Sequence, residues 1–269
     1  MRNHDEGLKS ITQNVYYKYE INEITNNHKA IVCTLAGLSA RISGRDDFYD
    51  LVLEMEKKDN TIIPIWGKGH TRTSPQDIAI YIKKIVKKTR EKWNKSPLVI
   101  FVGKSYGGYK LHEVHKQLNL MKIKIDINLF VGVEVSSWPS RHHQKFIDSK
   151  GKHGAKWFVN DVKKLYGFYQ TTGGVIQTGS PLFYKRSKKD DFKSIILLEE
   201  PQIPSEHDSA YNIHVQKTPF NKTTLIPDED NGSYILPENT PEYKITHLNI
   251  DTQPKLLNIV TKLINRELK

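Results

Sequence analysis

A single cysteine, Cys33, among 269 residues leaves no intramolecular disulfide to form. It sits inside an apolar run and reads as a small buried hydrophobe. No apolar stretch approaches the roughly 20 residues of a membrane span. Residues 1–20 are polar and lack the apolar core of a signal peptide. A cytoplasmic location is therefore the expectation, with secretion left open for a chain whose signal peptide is missing. The phosphate-loop spacing G-x-x-x-x-G-K-[ST] is absent. So is H-E-x-x-H, because His112-Glu113-Val114-His115 sets its histidines three apart rather than four. With no Cys/His cluster either, no metal and no cofactor is expected, and His142-His143 reads as a polar loop pair.

Acidic residues are also in short supply. Thirty Asp and Glu face 41 Lys and Arg, giving a formal charge of +11. Much of the excess lies on exposed helix faces, at Lys83, Lys84, Lys87, Lys88 and Lys92. Such a face is ordinarily solvated; its functional reading is attraction to an anionic membrane surface or an anionic substrate. No basic run is interleaved with stacking aromatics, so nucleic acid is not an expected partner.

The hydrophobic content of 37% supports a sizeable core. Strand-like runs alternate with helical patterns through the first half: strands at residues 29–35, 61–65, 97–102 and 125–133, and helices at 46–55, from 74 onward and after 105. Ser74-Pro75-Gln76-Asp77 combines an N-cap serine, a first-turn proline and an acid three residues on, which is a helix start. The alternation implies an α/β fold with a mainly parallel sheet covered by helices on both faces. The second half is less regular. Residues 140–164 read as basic and partly helical, 165–170 and 194–198 as strands, and 185–191 as a solvated loop. Prolines and turn residues crowd 201–242, and Thr252-Gln253-Pro254 opens a last amphipathic helix. The expectation is one domain over residues 1–269 with a loop-rich lid or insertion region around 138–245.

Gly103-Lys104-Ser105-Tyr106-Gly107 stands between the strand at 97–102 and a helical pattern. Strand, G-x-S-x-G, helix is the context of a nucleophile elbow, a turn that holds its serine in a strained conformation at the carboxyl end of a sheet strand. A serine hydroxyl needs a histidine to take its proton, a carboxylate to orient that histidine, and donors for the oxyanion. His112 and His115 ride on the helix after the serine and read as surface residues. His247, just before the final helix, is the candidate base. Glu134 follows the strand next to the serine's strand; Asp208 and Glu199 or Glu200 fit a later strand, and position alone leaves the acid open. The oxyanion donors expected are the N–H of Tyr106 and that of Gly37 or Leu38.

In these segments the chain resembles the α/β-hydrolase superfamily, and within it the lipase-like serine hydrolases. Ala30 to Gly37 looks like the strand and oxyanion turn, and Ile65-Trp66-Gly67-Lys68-Gly69-His70 like a Trp-Ser-Gly turn. Val102-Gly103-Lys104-Ser105-Tyr106-Gly107-Gly108 looks like the elbow, Phe130-Val131-Gly132-Val133-Glu134-Val135 like the strand that ends in the catalytic acid, and Thr246-His247-Leu248-Asn249-Ile250-Asp251 like the histidine loop; Phe168-Tyr169-Gln170 resembles a further segment. The resemblance implies an α/β-hydrolase fold and a triad of Ser105, His247 and Glu134 acting on a small-molecule or lipid ester, or on a thioester. Two departures, Lys104 and Ala36 where histidine is usual, are the sequence basis for the alternative of a catalytically silent binding protein. The oligomeric state has no signature in the chain.

Overall fold

The computed structural model describes residues 9–12, 14–37, 47–68, 72–133, 135, 162–169, 184–186, 195–197, 209–214 and 254–269. Its centre consists of four seven-residue strands, β3 (Ala30–Ala36), β4 (Ile62–Lys68), β5 (Leu98–Lys104) and β6 (Ile127–Val133). Each is an almost unbroken apolar run, which is the composition a strand needs when both its faces are covered. All seven residues of β3 are buried.

Six parallel strands make the body of an eight-stranded sheet. Its order is β1-β2-β4-β3-β5-β6-β7-β10, with β1 (Lys9–Thr12), β2 (Val15–Tyr17), β7 (Val162–Tyr169) and β10 (Ser209–His214). β1 and β2 form an antiparallel edge on β4. A separate antiparallel pair joins β8 (Tyr184–Arg186) to β9 (Ile195–Leu197).

The pleat sorts each strand's side chains between two helical layers. Ile31, Cys33 and Leu35 on β3 and Val99 and Phe101 on β5 pack with α2 (Pro75–Trp93) and α3 (Tyr106–Leu120). Ala30, Val32, Ile100 and Val102 point the other way, into α1 (Asp47–Lys58) and α4 (Pro254–Leu268). The Ser74 hydroxyl accepts from the Asp77 N–H at 3.3 Å, as the helix-start pattern requires.

Several elements differ from the sequence reading. β4 runs on to Lys68, so Trp66 and Gly67 are strand residues rather than a turn. Gly67 is needed there because a Cβ would come within 2.3 Å of the Asn14 carbonyl where β2 crosses β4. Residues 162–164 are strand, and a further strand, β10, joins the main sheet beside β7. Lys185 and Arg186, read as loop, belong to β8, and β9 pairs with β8 instead of the central sheet. His115 is fully buried rather than on the surface, because it lies on the same inner stripe of α3 as Leu111 and Leu118. The edge strands β1 and β2 leave no pattern in the sequence, since three or four residues carry too little periodicity.

Candidate active site

β5 delivers Ser105 to the carboxyl end of the sheet, and α3 begins with the next residue. Ser105 has φ 50° and ψ −125°, a region that side chains beyond glycine avoid. Such a conformation costs about 1–3 kcal/mol and persists only where its surroundings enforce it. Here they do. The Ser105 N–H donates to the Val133 carbonyl of the neighbouring β6 at 2.9 Å, and the Ser105 carbonyl accepts from the Gly108 N–H at 3.1 Å. Strand and helix meet so closely that a Cβ on Gly103 would lie 2.4 Å from the Gly108 Cα. Only glycines allow that approach, and the serine is thrust out at its apex.

The turn after β3 closes on the serine from the side. A Cβ on Gly37 would sit 2.7 Å from the Ser105 Cβ and 3.3 Å from its hydroxyl oxygen. The residue that follows β3 thus lies directly against Ser105. Tyr106 occupies the first position of α3, and its N–H has no partner within the helix. The turn at Gly37 and the first residue of α3 therefore both lie against Ser105. Leu38, Glu134, Asp208, Glu199, Glu200 and His247 all lie outside the described residues.

A strand order of 1-2-4-3-5-6-7 with an antiparallel edge, a helix layer on each face, and a strained serine between the fifth strand and its helix together decide the architecture. The chain has the α/β-hydrolase fold. Within it the end of β5 lies at the middle of the sheet, beside the ends of β3 and β6.

Lys104 precedes the nucleophile and is enclosed, with 2% of its surface exposed. By strand alternation it follows Ile100 and Val102 onto the sheet face covered by α1 and α4. α4 is the helix that the His247 segment leads into. Lys110 was not singled out by the sequence. It is buried on α3, where its Nζ donates to the Thr73 carbonyl at 3.1 Å and stands 5.4 Å from the centre of the Tyr106 ring. The Thr73 hydroxyl in turn donates to the Lys68 carbonyl at 2.8 Å. Lys110 thereby fastens the end of the β4–α2 connection against the first turn of the nucleophile's helix. Burial lowers its pKa from the usual lysine value, opposed by the nearby Glu113 carboxylate. Burial also raises the Tyr106 pKa, which favours the neutral phenol. The only sequence signal for Lys110 was its place next to Leu111 on the inner side of an otherwise amphipathic helix.

A groove of about 400 Å³ between α1 and α4 is lined by Asp50, Met55, Ile62 and Asn258 among others. It opens at the amino end of β4 and holds none of these groups. No group of three metal-binding side chains exists among the described residues.

No protein-family model and no curated protein matches the chain. Among solved structures, it is similar to Aspergillus fumigatus lipase B at 14% identity over 70% of this chain and 44% of the lipase, with a TM-score of 0.40. The chain thus spans less than half the length of that lipase. The NocB thioesterase domain, solved as a covalent complex with a fluorophosphonate nocardicin G analog, aligns at 12% identity over 95% of this chain and 99% of that domain, with a TM-score of 0.34. The acetyl xylan esterase from Aspergillus awamori aligns at 13% identity over 58% of this chain and 66% of the esterase, with a TM-score of 0.31. The fold assignment rests on the strand order and the Ser105 turn.

Proposed function

We propose that the protein is a serine hydrolase that cleaves a carboxylic or acyl ester through an acyl-enzyme. The observation that carries this reading is Ser105 itself: a buried serine held at φ 50° between β5 and α3, with the Gly37 turn against its side chain. A fold that merely binds has no need to keep a serine in that conformation.

In this mechanism the Ser105 hydroxyl attacks the ester carbonyl while His247 takes its proton. The carbonyl oxygen becomes an oxyanion held by the N–H groups of Tyr106 and of Gly37 or Leu38. Collapse breaks the bond to the alcohol, which leaves with the proton from His247, and the acyl group stays on Ser105. Water then attacks, activated by the same imidazole, and releases the acid. Glu134 orients the imidazole, with Asp208 and Glu200 as the alternative acids. The small-molecule or lipid ester, or a thioester, is the substrate class that this chemistry fits.

Reaction of the folded protein with a fluorophosphonate probe tests the reading. Ser105 is expected to carry the label, and Ser105→Ala and His247→Ala to abolish it. Folded protein that leaves Ser105 unmodified is a binding protein on a hydrolase fold, and the proposal then fails.

A further inference from the structure

The connections leaving α2 and α3 return to the amino end of the sheet, the end opposite Ser105. The first runs from Trp93 to the start of β5, the second from Leu120 to the start of β6. They are held side by side by Arg90, whose guanidinium donates to the Ser96 hydroxyl at 2.8 Å and to the Lys124 carbonyl at 2.7 Å. Exposed on them and on the last turn of α2 are Lys92, Lys95, Lys122 and Lys124. The acids nearby already have partners: Glu91 faces Lys87 at 3.7 Å and Asp126 faces Lys163 at 3.5 Å. The surface is therefore strongly positive, beyond what complementing two helix C-termini calls for.

Two features separate this patch from an ordinary solvated face. The first is apolar. Leu120 is 73% exposed and is the one large apolar side chain so exposed among the described residues. Trp93, half-buried at the end of α2, has the ammoniums of Lys88 and Lys92 about 5.5 and 5.4 Å from its ring centre. The second is conformational. Both helices end in a left-handed residue, Asn94 at φ 52° and Lys122 at φ 53°. Asparagine tolerates that conformation and glycine prefers it; lysine takes it only at a cost. A lysine is thus presented where local stability favours glycine.

We propose that this edge docks the protein on a bilayer that carries anionic lipid headgroups, with Leu120 entering the headgroup layer and Lys92, Lys95, Lys122 and Lys124 facing the lipid charges. A bilayer fits better than a nucleic acid. A phosphodiester backbone offers nothing apolar to Leu120, and the Trp93 ring is already engaged by two ammoniums and not free to stack on a base. The geometry has a consequence for catalysis, which rests on the function proposed above. Strands of seven residues put Ser105 roughly 20 Å from the docking edge. The docked protein then faces its catalytic end to the water, and its ester substrate arrives from solution rather than from the bilayer beneath.

Co-sedimentation of the full chain with vesicles tests the proposal, using phosphatidylcholine alone against phosphatidylcholine mixed with phosphatidylserine. Binding is expected only to the mixed vesicles and is expected to weaken when salt rises from about 0.05 to 0.5 M. Lys122→Gly should lower binding about fivefold while preserving or raising thermal stability, so that unfolding cannot account for the loss. Leu120→Ser should lower it about tenfold. Absent binding to the mixed vesicles at low salt overturns the proposal, as does wild-type binding by both variants. Tight binding to duplex DNA that Leu120→Ser leaves unchanged would assign the patch to nucleic acid instead. Fluorophosphonate labelling of Ser105 should proceed equally with and without vesicles; vesicles that block it refute the orientation. Failure to label in either case removes the catalytic reading and leaves the docking result standing.

Discussion

Replacing Ser105 by glycine is expected to make the protein more stable while destroying its chemistry. At φ 50° and ψ −125° any residue with a Cβ is strained, by about 1–3 kcal/mol. Glycine adopts the region freely but loses about 0.5–1 kcal/mol through the greater freedom of its unfolded chain. The balance favours glycine by about 1–2 kcal/mol. The serine hydroxyl complicates a direct comparison, since the side chain is nearly enclosed. The clean contrast is therefore Ser105→Gly against Ser105→Ala, which both lack the hydroxyl and differ only in the Cβ. For a chain of this length the difference corresponds to a melting temperature about 2–4 °C higher for the glycine variant. Differential scanning calorimetry of the two variants reads it directly. If Ser105→Gly melts at or below Ser105→Ala, the turn is not strained and the elbow reading loses its foundation.

Three further outcomes are expected. Gly37→Ala places a methyl 2.7 Å from the Ser105 Cβ, so the oxyanion turn must retreat; losing one donor costs about 3 kcal/mol, and fluorophosphonate labelling of Ser105 should slow about 10²-fold, whereas an unchanged rate would place the oxyanion hole elsewhere. Glu56 is 3% exposed and accepts from Lys18 Nζ at 2.6 Å and from the Tyr19 hydroxyl, tying α1 to the edge of the sheet; Glu56→Ala should lower unfolding free energy by about 2–3 kcal/mol in urea titrations, with Glu56→Gln milder. Burial raises the hydroxyl pKa of Tyr109 to about 12 and pushes those of Tyr19 and Tyr81 higher still. An unfolded tyrosine ionises near about 10, so above that pH the unfolded chain binds fewer protons and stability falls as pH rises. Denaturation midpoints that stay flat between about pH 10 and 12 would contradict this burial.

Local pattern alone determined the parallel α/β body, because strands covered on both faces must be continuous apolar runs and the helices between them show their inner stripe at 3.6-residue spacing. It also determined the elbow, since two glycines around a serine at a strand–helix junction have few other uses. The helix stripe even carried the burial of His115, in step with Leu111 and Leu118, although the sequence reading set it on the surface.

What the tertiary structure decided is everything set by contacts between distant segments. β10 earns its place from β7, about forty residues earlier, and β8 and β9 from each other, so none of the three announces its partner in its own residues. The closeness of Gly37 to Ser105 comes from the pairing of β3 with β5 across more than sixty residues of chain. Lys110 is buried because the end of the β4–α2 connection lies over it, a contact between segments 37 residues apart in the chain. The basic residues at and beyond the ends of α2 and α3 share one edge because parallel strands turn both connections back to the same end of the sheet, away from the serine. A sequence fixes which faces are apolar and which turns are forced; which charges and which donors end up as neighbours is settled by how the strands are ordered.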